Sequence, residues 1–141
     1  MKKTVCVLLA FILVACFAAC GKKTSNTSDA VINYGESQKY THKDIDAAAD
    51  VVKKQLNDFE CTVELHYLTY AGDDVSTENL DYCIDIYSNE EDFVECLVFE
   101  SEFKVLDEGD GSLVKGDTHT YTWYLARTNG GKWQLVSYGY G

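Results

Sequence analysis

Proline is absent from this chain of 141 residues, which therefore has no polyproline segment or rigid proline-rich linker. Basic side chains are also scarce, with 12 Lys and Arg against 23 Asp and Glu. The formal charge of −11 leaves no basic surface for phosphate groups, so nucleic acid is excluded as a partner. An apolar fraction of 46% is too high for a disordered chain. We therefore predict one small acidic globular domain.

The first twenty residues have the composition of an export leader. Lys2 and Lys3 form a positive amino-terminal region, residues 4–15 are an almost unbroken apolar run, and small residues precede Cys20. This pattern resembles a bacterial lipoprotein signal, which implies cleavage before Cys20 and a lipid on its thiol. Cleavage before Cys16 is an alternative, and an uncleaved anchor helix is another.

These features divide the chain into a leader over residues 1–19, a tether over residues 20–38 and one domain over residues 39–141. The tether is rich in Ser, Thr, Asn and Lys, which indicates a flexible spacer. Acyl chains on Cys20 would hold the domain on the outer side of a cell membrane. The membrane, reached through this lipid anchor, is thus one expected partner.

Helical spacing of apolar residues first appears at the start of the domain. It predicts an amphipathic helix over residues 42–57, and Thr41 with Asp44 resembles a capping box. Residues 76–88 fit either a short helix or a strand. We favour the helix, because Ser76 or Thr77 offers an N-cap there.

Strands are predicted where apolar and polar residues alternate. They cover residues 61–70, 93–105, 118–127 and 132–140. Asn129-Gly130-Gly131 is the strongest turn signal in the chain, and it predicts a hairpin between the last two strands. The order of elements predicts an α+β fold in which an N-terminal helix packs on a bent antiparallel sheet of about four strands.

The alternation also predicts which side chains share a face of the sheet. In the first strand Leu65 and Tyr67 share the apolar face. In the last strand Trp133 and Leu135 lie on one face, and Tyr138 lies nearer the other.

The last two strands resemble a known group of proteins. They contain Trp123-Tyr124-Leu125-Ala126-Arg127, Gly131-Lys132-Trp133-Gln134-Leu135-Val136 and Tyr138-Gly139-Tyr140. Together with Cys20-Gly21-Lys22-Lys23 and Phe59-Glu60-Cys61-Thr62, they are similar to small exported lipoproteins of unknown function from Gram-positive gut bacteria. The resemblance implies a cystatin-like or nuclear-transport-factor-like (NTF2-like) α+β roll, and it transfers no catalytic residues.

Aromatic side chains give the main indication of a binding site. Tyr121, Trp123, Trp133 and Tyr67 lie on predicted strands, where their rings would offer a stacking surface to a sugar, a peptide or another small ligand. In the alternative interpretation, Trp123 and Trp133 pack under the helix as core.

Cysteine and histidine form no recognisable catalytic or metal motif. After processing, Cys61, Cys83 and Cys96 remain, and both a Cys61–Cys83 disulfide and three buried free thiols are open. His66 and His119 lack the spacing of a metal site. We therefore predict no metal and no cofactor.

The sequence thus predicts a non-enzymatic binding or interaction module anchored outside a Gram-positive membrane. One alternative is a small enzyme with its site between helix and sheet. Another is a cystatin-like protease inhibitor, because Gln134, Val136 and Gly139 approximate the spacing of a wedge loop. Acidic residues concentrate in residues 73–117, with 15 carboxylates against two lysines. That excess favours a cationic partner.

Overall fold

In this computed structural model, which describes residues 23–87 and 91–141, the chain folds into a five-stranded open sheet with helices on both faces. The strands are β1 (Val31–Asn33), β2 (Val63–Tyr70), β3 (Phe93–Val105), β4 (Thr118–Thr128) and β5 (Gln134–Tyr140), adjacent in that order. The helices within these ranges are α1 (His42–Asn57), α2 (Asp73–Glu78) and α3 (Leu80–Ile86). The predicted α+β class is confirmed.

The predicted leader over residues 1–19 and its Cys20 lie outside the described residues. In the part that is described, none of the helices combines the length and the apolar character needed to span a bilayer.

Helix α1 has the predicted bounds because both ends of its capping box form. The Asp44 backbone N–H donates to Oγ1 of Thr41 at 3.2 Å, and the Thr41 backbone N–H donates to Oδ2 of Asp44 at 3.0 Å. These bonds satisfy two backbone N–H groups that a helix start leaves without a partner. The buried stripe of α1 consists of Ile45, Ala48, Ala49, Val52 and Leu56.

The predicted tether instead contributes to the domain from its described start. Strand β1 pairs in parallel with β2, so the sheet has five strands rather than four and is not wholly antiparallel. Further back, the Leu65 N–H donates to the Asn26 carbonyl at 2.9 Å, and Ser25 Oγ accepts from the Val63 N–H at 2.9 Å. Because backbone and hydroxyl hydrogen bonds hold this segment, its polar composition wrongly indicated a flexible spacer.

Over its described residues 76–87, the ambiguous segment 76–88 contains helix rather than strand, as favoured, but the boundaries differ. Helix α2 begins at Asp73, directly after Gly72 with φ of 105°, and α3 follows it. Ser76 is not an N-cap; it is buried, and its Oγ accepts a hydrogen bond from the Val98 N–H at 3.1 Å. Its hydroxyl therefore attaches α2 to the central strand.

Strand β3 is buried on both faces over residues 96–99, as its continuous apolar run predicted. The α1 face buries Leu97, Phe99 and Phe103, and the opposite face buries Cys96 and Val98 beneath α3. The domain therefore has two apolar cores, and the core under α1 is the larger.

The pairing has three register shifts, in β2, in β3 between Phe93 and Glu95, and in β5, and those in β2 and β5 reverse the predicted alternation. In β2, Leu65 pairs with Phe103 but Tyr67 pairs with Glu102, so His66 is an extra residue and Tyr67 lies on the face opposite α1. In β5, Leu135 pairs with Leu125 while the next paired residue is Ser137. One inserted residue moves every later side chain to the other face. The predicted faces of Tyr67 and Tyr138 are therefore both wrong.

The turn at Asn129-Gly130-Gly131 joins β4 and β5 as predicted. Gly130 has φ of 68°, which favours glycine, and the Gly131 N–H donates to the Thr128 carbonyl at 2.9 Å. The hairpin fixes the position of β5, whose last residues form one wall of the site described next.

Candidate functional site

An open groove of about 500 Å³ lies where the C-terminal end of α1, the loop 107–117 and the end of β5 meet. Its volume falls within the range of about 300 to 1,000 Å³ that is typical of small-molecule sites. The groove is lined by Gln55, Asp58, Phe59, Glu60, Cys61, Asp110, Gly111, Ser112, Leu113, Tyr121 and Tyr138.

Three aromatic rings form the apolar wall of this groove. Tyr138 lies between the other two, with its ring centroid 5.9 Å from that of Phe59 and 6.1 Å from that of Tyr121. The Tyr138 ring also stacks on Trp123 at 4.8 Å. Because Trp123 is fully buried, it supports the wall from beneath. We call Phe59, Tyr121 and Tyr138 the aromatic wall.

The β5 bulge is what brings Tyr138 into the aromatic wall. Tyr138 pairs with Trp123, and Tyr140 pairs with Tyr121, so both tyrosines lie on the α1 face. Tyr138 keeps 41% of its surface exposed, and the Tyr140 hydroxyl donates to Oγ of Ser112 across the groove edge. The wall is thus accessible to a ligand, although Trp123 beneath it belongs to the buried core.

The loop 107–117 is held against the start of β2. Asp107 accepts hydrogen bonds from the Thr62 backbone N–H at 2.6 Å and from the Thr62 hydroxyl at 2.9 Å. These bonds, with the nearby Lys23 ammonium, hold the pKa of Asp107 below its usual value. They also explain why β2 begins at Val63 rather than at residue 61. The loop positions Asp110 and Ser112 at the groove.

Charge in the groove has one sign. Asp58, Glu60 and Asp110 line it, and the described residues of its lining include no lysine or arginine. An anionic rim beside aromatic faces suits a cation, since an aromatic ring attracts positive charge through its quadrupole. The arrangement is therefore complementary to a ligand with an apolar body and a cationic group.

Two titratable groups that line the groove, Cys61 and Tyr121, have raised pKa values. Burial raises the pKa of the Cys61 thiol, and Asp107 raises it further. Burial and the neighbouring Tyr140 raise the pKa of Tyr121 to about 12. A protonated thiol is a weak nucleophile, so the raised pKa leaves the Cys61 thiol without activation.

The structure does not bring the four predicted binding residues together. Tyr121 lines the groove, and Trp123 is core beneath it. Trp133 is buried near the other end of α1, with the Arg127 guanidinium 4.3 Å from its ring centroid. The β2 bulge puts Tyr67 on the opposite face of the sheet, beside residues such as Glu100.

The two strand histidines also lie on opposite faces of the sheet. Nδ1 of His66 is 2.9 Å from Oε1 of Glu102 on the face opposite α1, whereas His119 packs beside Phe103 on the α1 face. Among the residues that the structure describes, no group of three His, Cys, Asp or Glu is arranged to hold a metal ion.

Two residues of the aromatic wall were not predicted to belong to a site. Phe59 follows α1 in a short connection that has no periodic pattern of its own. Tyr138 was placed on the wrong face because alternation alone does not reveal the extra residue in β5. The residues that approximated a wedge loop, Gln134 to Gly139, lie within the paired strand β5 rather than in an exposed loop.

Comparison with known proteins found no family model, curated protein or solved structure that matches this chain.

Proposed function

We propose that this protein is a non-enzymatic binding module, anchored by lipid outside a Gram-positive membrane, whose groove holds a cationic ligand with an apolar body. The observation that carries the proposal is the aromatic wall of Phe59, Tyr121 and Tyr138 beside a rim of carboxylates. The groove admits a small amine or a basic side chain of a peptide. A neutral sugar would use the aromatic wall but would gain nothing from the rim.

The core architecture supports the proposal because it holds the wall rigid. Trp123 is fully buried, and its Nε1–H donates to Oγ of Ser101 at 2.7 Å. Tyr138 stacks on this fixed ring. A preformed aromatic surface binds with a smaller entropic cost than one that must be ordered by its ligand.

The finer fold assignment belongs to the same proposal. A cystatin-like or NTF2-like roll has one helix against a bent sheet, and the contact of α1 with the larger core agrees with that arrangement. In this interpretation, the groove is the open end of the space between the helix and the sheet, and Trp123 closes the rest.

Attachment at Cys20 would place the groove close to the membrane. Lys23, the first described residue, lies 3.4 Å from Asp107, at a depression that also contains Phe59 and Glu60. Three residues of extended chain span at most about 11 Å. A lipidated Cys20 would therefore lie within about 11 Å of Lys23, so the domain would sit near its lipid and not at the end of a long tether.

Three probes of one shape and different charge test the choice of ligand. Calorimetric titration of the full chain with 2-phenylethylammonium, 2-phenylethanol and phenylacetate should give the tightest binding for the cation and the weakest for the anion. Equal affinities would contradict the role of the rim. Absence of binding by all three would contradict the groove as the site.

Two variants locate the binding. Tyr138→Ala should weaken binding of the 2-phenylethylammonium cation about 3- to 10-fold, because one aromatic contact contributes roughly 0.5 to 1.5 kcal/mol. Tyr67→Ala is the matched control, since it removes the same side chain from the other face of the sheet. A loss with Tyr67→Ala and none with Tyr138→Ala would move the site to that face and overturn the proposal.

A further inference from the structure

Cys83 and Cys96 are close neighbours in the core on the α3 face. Their Sγ atoms are 3.5 Å apart, with Cys83 in α3 and Cys96 in β3. Both side chains are almost completely buried, at 0% and 3% exposure. The pair considered from the sequence was Cys61 with Cys83, beside the alternative of three buried free thiols.

Cys61 belongs to the other core. It packs in the cluster under α1, whereas Cys83 and Cys96 pack in the cluster beneath α3 on the opposite side of the sheet. The sheet therefore separates Cys61 from both other thiols. The Cys61–Cys83 alternative does not fit this arrangement, and all three cysteines are buried free thiols in the structure.

We propose that Cys83 and Cys96 form a disulfide in the exported protein, while Cys61 remains a free thiol. A disulfide has an S–S distance of about 2.05 Å, so the two sulfur atoms must approach by roughly 1.5 Å. Rotation of both side chains shares this movement, and neither helix nor strand has to exchange partners. The proposal goes beyond the binding function and rests on the export outside the cell that the leader indicates.

Thiol–disulfide exchange supplies the chemistry, with a disulfide-bonded oxidoreductase or a small-molecule disulfide as the oxidant. The Cys83 thiolate attacks one sulfur of that disulfide, forms a mixed disulfide and releases one oxidant thiolate. Cys96 then loses its proton, attacks Sγ of Cys83 and expels the second oxidant thiolate. The two cysteine thiols lose two electrons and two protons in total, and the oxidant disulfide becomes two thiols.

The local hydrogen bond favours Cys83 as the first nucleophile. Either thiol can donate in this hydrogen bond, and donation by Cys96 to Sγ of Cys83 lowers the pKa of Cys83 although burial acts in the opposite direction. The same bond, together with burial, raises the pKa of Cys96. Because both thiols are covered in the folded domain, we expect exchange while α3 is still docking on β3.

The bond would attach a short helix to the centre of the sheet. Helix α3 has seven residues, and its one fully buried side chain in the core is that of Cys83. The two cysteines are 13 positions apart, so their linkage closes a loop and restricts the unfolded chain. The linked helix should therefore unfold with the sheet rather than separately.

Peptide mapping tests the pairing in the full chain after export from the producing cell. The protein is alkylated under denaturing, non-reducing conditions and digested with a glutamate-specific protease. Cleavage after Glu60, Glu64, Glu78, Glu90, Glu95 and Glu100 places Cys61, Cys83 and Cys96 on three separate peptides. We expect a cross-linked pair of the Cys83 and Cys96 peptides and an alkylated Cys61 peptide.

The same digest would also reveal the outcomes that contradict the proposed disulfide. Alkylation of all three cysteines in the exported protein would overturn the proposal, and so would any cross-link that includes Cys61. As a test independent of export, the reduced chain is refolded with oxidised glutathione. Failure of the Cys83 and Cys96 peptides to link under that condition would also overturn it.

Melting temperatures measured with and without reductant distinguish stabilisation by the disulfide bond from stabilisation by packing of the two side chains. Dithiothreitol should lower the Tm of the parent protein by roughly 10 °C, as expected for a disulfide that closes a loop of this length. Cys61→Ala should show the same drop. Cys83→Ala should show none, whatever its own starting Tm. An unchanged parent Tm in reductant would count against the bond.

Discussion

Nε1 of Trp123 donates a hydrogen bond to Oγ of Ser101 at 2.7 Å in the fully buried centre of the sheet. Both residues are on the α1 face, on the neighbouring strands β4 and β3. The Ser101 hydroxyl also donates to the Tyr121 carbonyl at 3.4 Å. This pair makes Trp123 a satisfied core residue, which decides between the two interpretations of that tryptophan.

Removal of the Ser101 hydroxyl should therefore destabilise the domain. Ser101→Ala leaves the buried indole N–H without its acceptor, which costs about 1 to 3 kcal/mol. Urea denaturation followed by tryptophan fluorescence measures the change. Ser137→Ala is the control, because its hydroxyl accepts only from the exposed Tyr82 side chain at 3.2 Å. Equal stability of the two variants would show that the buried bond contributes nothing.

Arg127→Lys should destabilise the folded domain, even though it keeps the positive charge. Its guanidinium donates to Glu95 and, at 3.2 Å, to Asp44, and it stacks on Trp133. Lysine lacks the planar fork for these contacts. Since the carboxylates are about one-third exposed, we expect a loss of about 1 to 2 kcal/mol in the free energy of unfolding.

Lys54→Arg is a matched control for Arg127→Lys, because Lys54 is exposed on α1. Urea midpoints of both variants and of the parent give the comparison. An Arg127→Lys protein as stable as the parent would mean that a point charge suffices at this position.

Acid should weaken the fold below about pH 4. The pKa of Asp44 is lowered chiefly by the Thr41 hydroxyl, that of Asp73 by Ser37, and that of Asp107 by the Thr62 backbone N–H. A carboxyl whose pKa is lower in the folded state binds fewer protons there than in the unfolded state. Its contribution is complete above the unfolded pKa and disappears as pH falls through the folded value.

Urea midpoints between pH 7 and pH 2.5 (about 4.5 units that span these carboxyls) test that expectation. Asp73→Asn should give a shallower decline below pH 4 than the parent, since it removes one of the three carboxyls. Ser37→Ala should act in the same direction, because the Ser37 hydroxyl donates to Oδ1 of Asp73 at 2.6 Å. Identical slopes for all three proteins would contradict the assignment.

Gly109 should not accept a side chain. An added Cβ would lie 2.6 Å from the Leu113 carbonyl oxygen and 3.0 Å from Cβ of Cys61, so the groove loop would have to move. We expect Gly109→Ala to cost about 1 to 3 kcal/mol in stability and to weaken binding of the phenylethylammonium probe. Gly139→Ala is the control, with open space around its Cβ. A neutral Gly109→Ala would show that the loop is not held against Cys61.

The sequence predicted the long regular elements accurately because their signals are local. Residues 42–57 carry a capping box and a helical stripe, and both depend only on neighbours within one or two turns. Residues 93–105 are continuously apolar in their first half, as a strand covered on both faces must be. The hairpin at Gly130 needs a positive φ, which its residue type supplies.

The membership of the site could not be predicted in the same way. One extra residue in β2 places the Tyr67 side chain on the face opposite to the predicted one, and one extra residue in β5 does the same for Tyr138. A bulge changes the pairing between two strands, and alternation within one strand does not record it. Strand β1 was missed for a related reason, since its three residues are fixed by hydrogen bonds to β2.

By itself the sequence determined the α+β class, the acidic charge and the bounds of the long helix and the central strand. Only the tertiary structure decided that Trp123 is core, that Tyr138 joins Phe59 at a groove, and that Cys83 meets Cys96. The physical reason is range: helix periodicity and turns depend on adjacent residues, whereas these contacts depend on strand register and on which face each helix covers.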